Sequence, residues 1–231
     1  MQEPLSVLFS LLNLLAHKHG LAELDRQLPR NYSLAPYYRL FGYFGILSWI
    51  CSMVFHTRDF DLTEKADYLA AGASIFYGLY YSPIRIFRLD QPRFRKDSLT
   101  TRSHKSSVLR VWTFFCVTLY AAHALYLTCW RWDYTYNMAA NVAVGIAQNV
   151  LWTWYSVARY RRLKKPWAAW PGLIVAWITL AMSLELLDFP PLGGYLDAHS
   201  LWHAGTVLPT LWWYEFLVRD AKEDVLGERV N

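Results

Sequence analysis

The chain is poor in cysteine and in charge, and each shortage removes a class of protein. Three cysteines in 231 residues, Cys51, Cys116 and Cys129, are too few for a disulfide scaffold. All three sit in apolar runs, where a thiol serves as a small buried hydrophobe. Charged residues make up only 18% of the chain, clustered between apolar stretches rather than spread as on a soluble surface. The net charge of +5 forms no basic helix and no aromatic-interleaved platform, so no nucleic-acid partner is expected. No glycine-rich nucleophile elbow surrounds a serine, which disfavours a Ser-His-Asp triad. Neither an internal repeat nor a soluble domain stands out, and no separate signal peptide is expected before the first apolar run.

What the chain does have is apolar and aromatic mass. Hydrophobic residues account for 55% and aromatics for 17%, with 12 Trp and 16 Tyr, the residues that gather at membrane interfaces. Seven apolar runs follow one another, over about 4–19, 36–55, 65–83, 108–130, 138–158, 167–187 and 198–218. Most are near the roughly 20 residues a helix needs to cross hydrocarbon, the first being the shortest. The expectation is an all-α bundle of seven transmembrane helices, a single membrane domain over residues 1–231.

Basic residues set its orientation. Twenty of the 23 Lys and Arg fall after runs one, three and five or in the C-terminal tail, and three (Arg58, Lys65, Arg131) on the other side. The positive-inside rule then puts the N-terminus in the lumen and the C-terminus in the cytosol. By the same count the sequon Asn31-Tyr-Ser33 faces the cytosol and stays unglycosylated.

Against this apolar background the polar groups in the runs are conspicuous. Asp197-Ala-His199-Ser-Leu-Trp-His203 places two imidazoles four residues apart, on one helical face. Ser52-Met-Val-Phe-His56 ends the second run, and Asp67 begins the third. The expected topology brings all five groups to the luminal leaflet. Three imidazoles suit Zn2+ with an open fourth position, where a bound water becomes a nucleophile near neutral pH. His56, His199 and His203 are therefore the candidate metal ligands. Asp67 is placed to manage a proton, and Ser52, one turn from His56, to donate to a developing oxyanion; Ser48 is a second candidate on that face.

Arg58 and Lys65 in the charged loop after His56 could meet a lipid phosphate, although solvated loop charges are the commoner case. Glu185, Asn137 and Asn141 read as groups that support the site's ligands from behind or, more commonly, as helix-bridging groups. His17, His19, His104 and His123 lack a partner at matching spacing and are read as structural or solvated.

At these residues the sequence resembles the seven-helix membrane hydrolases that include alkaline ceramidases and the progestin and adipoQ receptors. Within that superfamily it resembles the Per1-like family, that of post-GPI attachment to proteins factor 3. The matching strings are Gln2-Glu-Pro4 with Asn13, Val54-Phe-His56 through Asp67-Tyr68, Tyr136-Asn137 with Ala140-Asn141, and Leu184 through Pro191 with Leu196 through His203. The resemblance implies removal of the sn-2 fatty acid from the inositol phospholipid of GPI-anchored proteins. It also implies zinc at His56, His199 and His203 with Asp67 and Ser52 assisting, and a place in the endoplasmic reticulum membrane, or alternatively the Golgi. Such proteins usually carry a cysteine-rich luminal domain before the first helix, which this sequence lacks. Alternatives are a ceramidase-like amide hydrolase, and a non-enzymatic seven-helix receptor or lipid-binding protein whose metal is structural. A transporter would show paired broken helices and repeats, which the sequence does not.

Overall fold

The computed structural model describes residues 3–29, 31–91, 100–187, 189, 191–193 and 196–230, without the side chains of 100–106, 185–187 and 227–230. Glu185 and His104 are thus outside the described side chains. Among the described residues the chain forms seven α-helices: α1 (Pro4–Gln27), α2 (Ala35–Thr57), α3 (Asp61–Ile86), α4 (Thr100–Leu125), α5 (Tyr134–Leu163), α6 (Trp170–Leu187) and α7 (Ala198–Val230). A π-helical turn (Tyr126–Trp130) extends α4, and a 3₁₀ turn (Pro166–Ala169) leads into α6.

The helix starts have local causes. Proline stands in the first turn of α1 and of α2, where its missing N–H is no loss and its fixed φ suits the helix. Before α3 the Phe60 amide donates to the Thr63 hydroxyl at 3.0 Å, and Asp61 and Glu64 supply negative charge to the first turn. Ahead of α7, Leu192 and Leu196 pair across a turn in which Gly193 takes φ 63°, a value that glycine adopts at little cost. That turn delivers Asp197, whose carboxylate accepts the Ser200 amide at 2.7 Å while the Ser200 hydroxyl accepts the Asp197 amide at 3.2 Å. This reciprocal cap fixes where α7 begins, and hence where His199 and His203 point.

Helices overrun the apolar stretches at both ends. α1 continues through Glu23 and Arg26 to Gln27, and α7 passes Val218 to reach Val230. Membrane-length hydropathy marks where hydrocarbon is tolerable, whereas helical hydrogen bonding persists into water wherever propensity allows. Among the described residues three helical segments, Ala35–Thr57, Ser107–Trp130 and Pro166–Leu184, are long and apolar enough to cross a membrane.

Two compact units emerge, Met1–Ala71 with Trp152–Asn231, and Gly72–Leu151. In the first, α1 packs along α2 and α7, and α6 along α7. Glycine permits the close approach: a Cβ on Gly20 would run into the Tyr214 ring, and one on Gly45 into the His17 ring. The polarity of α1 is inside out, with Ser6, Ser10, Asn13 and His17 buried while Leu8, Leu11, Leu12 and Leu15 face outwards. On α2, Leu47, Ile50 and Val54 are likewise exposed while Ser52 and His56 are buried. That arrangement suits hydrocarbon outside and a polar interior.

The same unit buries an ion cluster. Arg159 Nη2 lies 3.0 Å from Asp220 and 3.2 Å from Asp224, with the Tyr155 and Tyr32 hydroxyls donating to Asp220 and Asp224 respectively. Arg159, one of the twenty basic residues in the orientation count, is paired here with carboxylates of α7.

In the second unit the Trp112 indole donates to the Tyr80 carbonyl at 2.9 Å, and the Tyr80 and Thr113 hydroxyls meet at 3.0 Å, joining α3 to α4. Asn141 donates to Asn137 at 3.3 Å along α5, and the His123 ring faces the Tyr136 hydroxyl at 3.3 Å. All three cysteines are free.

Candidate metal centre

Helices α2 and α7 bring His56, His199 and His203 together. One nitrogen from each lies within 4.8 Å of the others, the only such cluster of potential metal ligands among the described residues. Ring centroids stand 4.5 Å apart for His199 and His203, 5.0 Å for His56 and His199, and 5.1 Å for His56 and His203. His56 and His203 are buried, and the Trp49 ring covers His203 edge-on at 5.2 Å.

The donor set fits zinc. Nε2 of His56 and Nε2 of His199 are 3.2 Å apart. Two zinc–nitrogen bonds of about 2.0–2.1 Å at the tetrahedral angle span roughly 3.3–3.4 Å, nearly the same edge. Two of the other ring nitrogens face neighbours at the start of the chain. Nδ1 of His203 lies 3.0 Å from the Ser10 hydroxyl and 3.3 Å from the Ser6 carbonyl, and Nδ1 of His56 is 2.7 Å from Glu3 Oε2. The Ser6 carbonyl only accepts, so it assigns the proton of His203 to Nδ1; at His56 the nearby Glu3 carboxylate favours a proton on Nδ1 by its charge, without the alignment of a hydrogen bond. The Nε2 lone pair of His56 faces Nε2 of His199, an approach that either a ring proton or a bound cation satisfies.

Around the triad, Asp67 is buried near the start of α3, within electrostatic reach of His56 and His199 but outside the 4.8 Å set. Ser52 is buried with its hydroxyl 3.0 Å from that of Ser10. Ser10 in turn donates to the Ser6 carbonyl at 2.7 Å, so its lone pairs receive the protons of Ser52 and His203. The Arg58 guanidinium lies over the Phe60 ring at 4.7 Å.

The sequence reading missed one contribution, the polar edge of α1. Glu3, Ser6, Ser10, Asn13 and His17 follow steps of three, four, three and four residues, the spacing of one helical face. Each is tied to α2 or α7 or to a neighbour on that edge. The Glu3 amide donates to the His56 carbonyl at 3.1 Å, and its carboxylate accepts from the Ser6 hydroxyl at 3.1 Å. The His56 ring, helped by Ser6, holds the Glu3 carboxyl below its ordinary value despite partial burial. Asn13 donates to the His203 carbonyl at 2.8 Å and accepts from the Thr206 hydroxyl at 3.1 Å. His17 Nδ1 meets the Tyr214 hydroxyl at 2.8 Å, a structural bond as expected for that histidine. The family strings at Gln2-Glu-Pro4 and Asn13 and the spacing signalled this edge without giving it a role, and serines in membrane helices often merely bond back to their own turn.

Helices of membrane length and a largely buried cluster of three imidazoles define the class: an all-helical membrane protein with a side-chain group that could hold a metal ion. Comparison with known proteins is more specific. The model of the Per1-like family matches residues 1–221, and the chain belongs to that family. The protein PER1 homolog of Schizosaccharomyces pombe is 39% identical over 226 residues, covering 97% of this chain and 64% of its own length. GPI-specific phospholipase A2-like PGAP3 of Xenopus laevis is 36% identical over 220 residues, 95% of this chain and 64% of its own length. Post-GPI attachment to proteins factor 3 of Drosophila melanogaster is 36% identical over 218 residues, 93% and 61% respectively. The chain thus spans a little under two thirds of these relatives. No solved structure matches it.

Proposed function

We propose that the chain is a zinc-dependent lipid hydrolase that remodels GPI anchors by removing the sn-2 fatty acid of their inositol phospholipid. The observation that carries this reading is the imidazole triad, with its Nε2 edge of 3.2 Å, in a membrane-length bundle. The names of the relatives, which refer to GPI attachment and to a phospholipase A2-like activity, support the substrate and the ester bond. His56, His199 and His203 hold the ion. When bound, zinc supplies Lewis acidity and a water that ionises near neutral pH.

The residues of the chain do the rest. Asp67, buried beside the triad, takes up the proton released as the ester is attacked and passes it to the departing lyso-lipid oxygen. Ser52 donates to the developing oxyanion by turning its hydroxyl away from Ser10, while Ser10 keeps His203 in place. The burial of His203 beneath the Trp49 ring keeps bulk water from the reacting ester. In this reading seven helices span the membrane with a luminal N-terminus and a cytosolic C-terminus. The substrate is the lipid of GPI-anchored proteins, and the compartment is the endoplasmic reticulum, or else the Golgi.

The test is a lipid assay in cells lacking the endogenous activity. Wild-type chain restores lyso-GPI formation, and His199→Ala and His203→Ala each abolish it. Lyso-GPI formed at the wild-type rate by either variant would end the proposal.

A further inference from the structure

The polar edge of α1, its N-cap included, contributes no nitrogen ligand, yet it touches two of the three ligand rings at Nδ1. Glu3 Oε2 stands 2.7 Å from Nδ1 of His56, and the Ser10 hydroxyl 3.0 Å from Nδ1 of His203. Both partners are tied to their surroundings by a further bond. The amide of Glu3 is bonded to the carbonyl of His56 itself, and Ser10 is fixed by its 2.7 Å bond to Ser6 on the preceding turn. Building on the zinc reading above, we propose that Glu3 and Ser10 are positioning residues that set the tautomer and aim of His56 and His203, and so set the affinity of the metal centre.

The physical argument is one of proton placement. A neutral imidazole carries one N–H and one lone pair, and a ligand must offer the lone pair to the ion. In water the proton exchanges between the two nitrogens, so an unassisted ring presents the wrong nitrogen part of the time. The charge of a carboxylate 2.7 Å from Nδ1 of His56 favours the proton there and increases the electron density at Nε2. Ser10 does the same for His203 with a neutral acceptor. Its own proton is spent on the Ser6 carbonyl, which leaves a lone pair for the ring N–H. The two partners therefore differ in strength: loss of the charged one weakens the centre more than loss of the neutral one.

Binding of cobalt(II) and zinc to the full-length chain, purified in detergent and stripped of metal, tests this. Visible absorption of cobalt reports the ligand field of the site, and chelator competition gives zinc affinity. Wild type is expected to bind one equivalent. Glu3→Ala lowers affinity by about 10–100-fold and shifts the cobalt bands, the usual effect of removing an outer partner of a ligating histidine. Glu3→Gln, which keeps an acceptor oxygen without charge, falls between the two, and Ser10→Ala loses less than Glu3→Ala. Leu12→Ala, on the outward face of α1, stays within about twofold of wild type.

Circular-dichroism melting of the metal-free variants separates folding from affinity. Variants that melt earlier yet bind with wild-type affinity and spectrum in their folded fraction would overturn the inference, as would unchanged binding throughout. Failure of the wild type itself to bind would instead remove the zinc reading, and this inference with it.

Discussion

At the scale of single residues, each role predicts a different kind of loss. Asp67→Asn keeps shape and burial but removes the base, so turnover should fall about 10²–10⁴-fold, the usual span of acid–base assistance, with metal content unchanged. Single-turnover kinetics on a defined lipid, alongside metal analysis, check this; loss of metal together with activity would make Asp67 a ligand. Ser52→Ala should cost about 10²-fold in kcat if the hydroxyl serves the oxyanion. A variant with normal kcat would restrict Ser52 to its bond with Ser10. The triad was legible because two histidines one turn apart and a third ending another apolar run are hard to place in hydrocarbon without a purpose. Glu3 was not, because it lies just outside the apolar run and reads as an ordinary acid at a helix start. Ser10 does bond back to its own helix, so the bland reading of a membrane serine is true of it and hides its second partner.

Elements are held by contacts that can be broken one at a time. Asp220 is fully buried against Arg159 and Tyr155, which ties α7 to α5. Its replacement by alanine leaves the Arg159 charge with only Asp224, and should cost about 3–5 kcal/mol, read as a fall in thermal midpoint in detergent. A change under 1 kcal/mol would show that Asp224 alone satisfies the guanidinium. At the crossing of α1 and α2, Gly45→Ala sets a methyl group against the His17 ring and should destabilise by about 1–3 kcal/mol, measured the same way. Helix number and order were readable from hydropathy, but the ends were not, because α1 and α7 continue through charged residues that water solvates well. The cluster at Arg159 was hidden for a related reason. A loop charge and a paired interhelical charge look identical until the neighbouring helix is in place.

For the whole molecule, the claim is that the chemistry sits in the luminal leaflet. The residues between α2 and α3, Arg58 to Phe60, would then lie on the luminal side, and Asn31 on the cytosolic side. A glycosylation sequon inserted after Asp59, on a short spacer, should be modified in microsomes, whereas Asn31 should remain bare. Glycan on Asn31 would invert the topology and put the triad on the wrong side for a luminal lipid. The most direct measurement is the metal content of the purified full chain beside the double variant His199→Ala/His203→Ala. The account predicts one zinc per wild-type chain and none in the variant; a metal-free wild type, or equal zinc in both, would contradict it.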